Sequence, residues 1–221
     1  TGWKGFGAVG FGTFFKNSII VSSLATLGVL ISSSMAAYSF ARLNYPGKTL
    51  WFACMMSTLM LPAQVLIIPQ YIIFHRLNWL NTFLPLIVPS FFTNAFFVFL
   101  IMQFIQSLPV ELDEAAIIDG CSKYSVFFRI TLPMISPALI TTIVINFYWK
   151  WDEFMQPLLY LSRPEMFTAS IAIKAFADAS STTNYGSMFA MATLSLIPIF
   201  LIFLFFNRHL VEGISTSGLK A

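Results

Sequence analysis

An all-α integral membrane bundle is the fold class the sequence predicts, and three observations predict it. Of 221 residues, 57% are hydrophobic and only 10% are charged, against about a quarter charged in ordinary soluble domains. Mean hydropathy is +0.80, and the 25 Phe bring more apolar bulk than one soluble core of this size needs, so part of it must face lipid or other membrane helices. Five apolar stretches are each long enough to cross the hydrocarbon, which takes about 20 residues at about 1.5 Å per residue. Disordered, collagenous and disulfide-stapled classes are excluded by the same composition. The net charge of +3, from 12 Lys+Arg against 9 Asp+Glu, is scattered without a basic run, which argues against nucleic acid as a partner. Cys54, in an apolar run, and Cys121, in a polar loop, match neither a disulfide scaffold nor a metal-ligand spacing and read as free thiols; no metal site is expected.

The elements follow in chain order. Residues 1–16 precede the first stretch; they begin with Thr1 and show no signal-peptide pattern, so a segment upstream is expected to be missing. The first span is expected at about 19–40, the second at 50–74, the third at 83–105, the fourth at 135–159 and the fifth at 188–206, with a tail at 207–221. The first carries Ser33, Ala37 and Ala41 at four-residue spacing, with Ser22, Ser23, Thr26, Ser32 and Ser34 around them. That stripe of small residues lets helix backbones approach closely. Pro62 and Pro69 interrupt the second span, Pro85 and Pro89 the third, and Pro198 the fifth, so kinked helices are expected, their freed backbone groups satisfied by neighbours. Lys and Arg divide evenly between the two sides of a five-span bundle, and the charge rule does not orient it.

Between the third and fourth spans, residues 107–133 are too polar to cross a membrane and too patterned to be a linker. Pro109 suits a first helical turn, and Glu111, Asp113 and Glu114 lie near the positive end of the helix dipole. Gly120 supplies the stop, and a second amphipathic helix is expected from Ser122 to Ile130, before Pro133. The pair would project as a knob. The pattern is Glu114-Ala115-Ala116, three residues ending in Asp119, Gly120, nine residues, then Ile130-x-Leu132-Pro133. It resembles the EAA loop of permease subunits of binding-protein-dependent ABC importers. Further agreement with the carbohydrate branch of those permeases, which includes the maltose permease subunits, runs through Asn17-Ser18, Ala36 to Arg42 with Pro46-Gly47-Lys48, Asn81-Thr82, and Trp151-Asp152-Glu153-Phe154 with Pro157-Leu158.

That resemblance implies a cytoplasmic EAA loop docking into a cleft of a separate ATP-binding subunit. It implies a prokaryotic cytoplasmic membrane, with residues 1–16 outside and the C-terminus inside. The implied partners are a second, different permease chain, two ATP-binding subunits that hold ATP and Mg, an extracytoplasmic solute-binding protein, and a sugar solute. The family usually has one more span before this core. A rigid knob leading into a span could turn closure of the ATPase subunits into rocking of the bundle.

Gly47-Lys48-Thr49 resembles the end of a phosphate-binding loop, but the Gly that motif needs five positions earlier is Arg42. No Walker signature occurs elsewhere, so the chain itself is not expected to hydrolyse ATP or to be an enzyme. In the fourth span, Asn146, Lys150, Glu153 and Pro157 share one helical face. A charge at the lipid-facing centre would cost about 2.5–3.5 kcal/mol, so the stripe can line a translocation path or a subunit interface. Alternatively, Trp149 and Trp151 form an aromatic belt and the charges reach the headgroups. Tyr148, Trp149, Trp151 and Asn94 suit a sugar, whose apolar face stacks on aromatic rings while amides and carboxylates such as Asp152 bond its hydroxyls. The long segment 162–187 reads either as a surface for a solute-binding protein or as a plain polar loop. The competing functional class is an ion-gradient-coupled transporter or channel, which needs no ATPase dock.

Overall fold

Helix α1, Phe11–Arg42, runs unbroken for 32 residues and is the axis around which the rest is arranged. The computed structural model describes residues 9–177 and 185–218. The Ser-Ser-Thr-Thr-Asn run of the polar segment, at 180–184, and the last three residues of the tail lie outside the described residues, as do residues 1–8 of segment 1–16. Most of the small-residue stripe of α1 faces inward: Ser22, Ser33 and Ala37 are fully buried and Thr26 and Ser34 nearly so, while Ser32 and Ala41 are half-buried and Ser23 is exposed. At Gly28 an added Cβ would stand 2.7 Å from the ring of Phe91, so that close approach depends on the missing side chain.

After α1 the chain turns through Gly47, at φ 76°, into α2 (Lys48–Ser57), a short 3₁₀ turn over Thr58–Met60, and α3 (Ala63–Arg76). Where a single span was expected over 50–74, the two halves are bent by 102°. Pro62 explains the break, because its ring excludes Leu61 from helical space, and Leu61 sits extended at ψ 121°. Pro69, by contrast, is accommodated inside α3. The third span is α4 (Leu84–Ile87), a 3₁₀ turn over Val88–Phe92, and α5 (Ala95–Ser107). It is interrupted at Thr93, which stands at φ 73°, ψ 155°, a region that β-branched residues rarely enter.

Helix α6 (Glu111–Ile118) is followed by α7 (Lys123–Val126), a π-helical turn over Phe127–Thr131, and α8 (Leu132–Met134). This second segment meets α9 (Ser136–Asp152) at 73°. The expected fourth span ran to 159, but α9 ends at Asp152 because Glu153 turns extended and its Oε1 accepts N–H bonds from Met155 and Gln156, at 3.0 and 3.3 Å. That restarts the chain as α10 (Met155–Tyr160). Helices α11 (Ala169–Ala177) and α12 (Tyr185–Gly218) complete the bundle, the expected fifth span lying within α12. Among the described residues, three helices are long and apolar enough to cross a membrane each, and up to five spans result when each bent pair counts as one.

Both ends of α1 are fastened to distant loops. At its N-terminal end, Asn17 Nδ2 donates to the carbonyls of Glu165 and Phe167 at 2.8 and 3.1 Å, and Ser18 Oγ accepts from Ala169 N–H at 2.8 Å. At its C-terminal end, Arg42 and Tyr38 reach the segment 105–123. Between them, a core of Ala37, Tyr38, Val98, Ile101, Met102, Ile105, Phe127 and Ile135 joins α1, α5 and the approach to α9.

Candidate functional site

The helix pair expected from the sequence is present. Glu111, Asp113 and Glu114 occupy the first turn of α6, where the backbone N–H groups and the dipole favour negative charge. Gly120 stands at φ 86°. Cys121 N–H bonds to Ala116 O at 2.9 Å and Gly120 N–H to Ile117 O at 3.0 Å, the paired bonds that close a helix on a left-handed residue. Ser122 then caps the next helix, its Oγ accepting from Ser125 N–H at 3.2 Å. The two helices are thus joined by a turn that is hydrogen-bonded on both sides.

Glu114, Ala115, Asp119 and Gly120 are exposed, whereas Ala116 is buried. Ile130 and Leu132 are half-buried, Leu132 against the α1–α5 core, and Pro133 is exposed in the first turn of α8. The knob also presents large apolar side chains: Ile118 is 85% exposed and Tyr124 77%, with Ile117 and Phe128 beside them. No spacing rule drew attention to these four. The partners that hold the knob in place, Tyr38 and Arg42, stood in the sequence only as part of the resemblance.

A second site lies where three of the helices are broken. A cavity of about 160 Å³ is lined by Val29 of α1, Gln70 and Phe74 of α3, Ser90, Thr93 and Asn94 at the break before α5, Asn146 and Lys150 of α9, and Gln156 and Tyr160 of α10. Its polar groups are organised: Asn146 Nδ2 donates to Thr26 Oγ1 at 3.0 Å, Tyr160 OH to Gln70 Oε1 at 3.4 Å, and Asn94 Oδ1 accepts from Phe96 N–H at 3.0 Å, capping α5. Of the residues singled out for a path, the structure brings together Asn94, Asn146 and Lys150 and adds Gln70, Gln156 and Tyr160, which no motif marked.

The others lie elsewhere. Trp151, 5% exposed, is packed between Phe15 and Phe147, with ring centroids 5.2 and 5.8 Å away. Trp149 lies against Phe96 and Phe97, at 5.3 Å from each. Tyr148 lines an apolar groove of about 380 Å³ between α9 and α12. Asp152 is exposed, and Glu153 spends a carboxylate oxygen on the start of α10. Among the described residues, no three His, Cys, Asp or Glu converge as a metal site.

A polytopic helical bundle with broken spans, an internal polar cavity and a rigid knob projecting from one end is the architecture of a membrane permease. Residues 28–216 match the family model described as binding-protein-dependent transport system inner membrane component, and the chain belongs to that family of ABC importer permeases. It is 34% identical over 212 residues to the probable ABC transporter permease protein YurM of Bacillus subtilis, covering 96% of this chain and 70% of that one. To the trehalose/maltose transport system permease protein MalG of Thermococcus litoralis it is 32% identical over 211 residues, covering 95% and 76%. To the arabinooligosaccharides permease AraQ of Halalkalibacterium halodurans it is 31% identical, covering 94% and 74%. These last two belong to the carbohydrate branch that the sequence resembles. The fold matches the crystal structure of a bacterial ABC transporter involved in the import of the acidic polysaccharide alginate, with a TM-score of 0.80 at 18% identity, over 90% of this chain and 74% of that one.

Proposed function

We propose that this chain is one permease half of an ATP-driven importer for an oligosaccharide or related sugar, moving its solute by alternating access. The single observation that carries the coupling is the knob: exposed Ile118 and Tyr124 on a helix pair braced at Gly120 and Ser122. Large apolar side chains held out on a rigid polar segment fit a cleft in a partner, and the resemblance of the Glu114-Ala115-Ala116 to Pro133 pattern to an EAA loop supports an ATP-binding subunit as that partner. ATP and Mg belong to two such subunits, and this chain takes no catalytic part. A second, different permease completes the path and an extracytoplasmic binding protein delivers the solute. The knob and α12's C-terminal end then face the cytoplasm.

The sugar assignment rests on the relatives, whose names carry arabinooligosaccharides and trehalose/maltose. It is supported by the cavity, where Asn94, Asn146, Gln70, Gln156 and Tyr160 offer amide and hydroxyl groups to solute hydroxyls. The test is a pull-down of the tagged chain from gently solubilised membranes. The wild type should bring down a subunit that hydrolyses ATP, while Gly120→Pro and Glu114→Lys insert normally and lose it. A wild type that captures no ATPase would overturn the reading and leave gradient-driven transport in its place.

A further inference from the structure

The covalent route from the knob into the bundle is a poor push-rod. Between α7 and α9 the chain passes a π-helical turn and then bends by 73°, so a force on the knob is not delivered along the axis of α9. The stiff connections are non-covalent and lead to α1. Arg42, in the last turn of α1, lies against Asp113 of α6, its Nε 2.9 Å from Oδ2 in a charge contact whose N–H is not aimed for a hydrogen bond. The far end of the same guanidinium donates to Ile105 O at 3.0 Å and Leu108 O at 2.7 Å, carbonyls at the end of α5. One side chain therefore ties three helices together. The arrangement suits an arginine, whose delocalised charge sits beside the carboxylate while its Nη2 bonds two carbonyls, where a helix C-terminus also favours a cation.

The pair is sheltered, with the two side chains 11% and 13% exposed, and is the one ion pair among the described residues. One turn earlier, Tyr38 OH donates to Lys123 O at 3.4 Å, and its ring lies 5.0 Å from that of Phe127. The C-terminal end of α1 thus grips both helices of the knob, while residues nearer its middle, Thr26 and Val29, reach Asn146 and the cavity. We infer that Arg42 is a positioning residue for coupling, the pin through which movement of the knob is passed to α1 and α5 and so to the polar cavity. This rests on the knob being the ATPase dock. Asp113 faces α1 and not the apolar tip, so the pin and the dock are separable.

The test uses the assembled importer, purified through a tag on this chain and reconstituted in vesicles, with Cys54→Ser and Cys121→Ser removing the native thiols. Val29→Cys, on the cavity wall, reports access to a membrane-impermeant maleimide with and without ATP plus vanadate. In this parent, nucleotide should change the labelling rate by about tenfold. Arg42→Ala and Asp113→Ala should each bring the ratio close to one while the ATPase still co-purifies and still hydrolyses ATP. The double variant should be no worse than either single one, as expected of two groups acting as a pair. Arg42→Lys, which keeps the charge and loses the fork, should recover part of the response.

A nucleotide response that survives both alanine variants overturns the inference. So does loss of ATPase capture in the variants alone, since Arg42 would then belong to the dock. A parent that captures its ATPase but shows no nucleotide response, or captures none, refutes the underlying functional reading and the pin with it.

Discussion

The two ends of α1 do the same mechanical job with different chemistry. At the N-terminal end, Asn17 and Ser18 fasten the segment 165–169 with neutral side-chain-to-backbone hydrogen bonds, and Phe11 and Phe14 are buried beside them. At the C-terminal end the fastening includes the Arg42–Asp113 ion pair. Asn17, itself buried, makes two of these neutral bonds, and each contributes about 1 kcal/mol net. The ion pair is sheltered, its side chains 11% and 13% exposed, but when it parts Arg42 keeps its bonds to Ile105 O and Leu108 O, so the cation is not left without partners. The contrast separates a permanent joint from one that can be released and remade at low cost.

The largest effect on this comparison should come from Gly120→Pro, which removes the N–H bonded to Ile117 O and forbids φ 86°. It should abolish ATPase capture, read by the pull-down, while the N-terminal joint is untouched. Next, Asn17→Ala should lower stability by about 1–3 kcal/mol, seen as an earlier thermal transition of the detergent-solubilised complex, with the nucleotide response of Val29→Cys retained. Asn146→Leu strands Thr26 in the bundle and should cost about 1 kcal/mol by the same melt. Asp113→Ala should cost the least in stability, about 1 kcal/mol or less, because Arg42 keeps its bonds to Ile105 O and Leu108 O, although it removes coupling. An Asp113→Ala melt as damaged as that of Asn17→Ala would break the distinction between the two joints.

What was legible in the sequence was whatever short-range rules determine. Gly120 as a helix stop, Ser122 as the start of the next helix and the acidic first turn of α6 all follow from groups within a few residues of one another. The burial of the α1 stripe was legible for a similar reason, since Ser and Ala at four-residue spacing have few uses other than close packing. Proline was only half informative. Pro62 and Pro69 look alike in sequence, yet Pro62 accompanies a 102° bend and Pro69 sits within a helix, because what a proline does depends on which neighbours satisfy the freed carbonyls.

Side-chain capping at Glu153 ended α9 before the apolar run was exhausted, and hydropathy carries no sign of that. The cavity was visible through Asn94, Asn146 and Lys150 on their own helices. Gln70, Gln156 and Tyr160 join it only because the chain breaks before α3 and before α10 and brings them to its wall. The Arg42–Asp113 pair crosses between two elements that no local period connects, and only the tertiary fold reveals it.

The exposed tip of the knob has a consequence for how the chain is made. On the proposed docking, Ile118 and Tyr124 are covered only once an ATPase subunit has arrived, and until then the cell meets a membrane protein wearing the surface signature of an unfinished one. Exposed apolar clusters of that kind are what chaperones and proteases bind. On that docking, the residues that would meet the ATPase would also time the unassembled subunit, tying the lifetime of each copy to the supply of its partner.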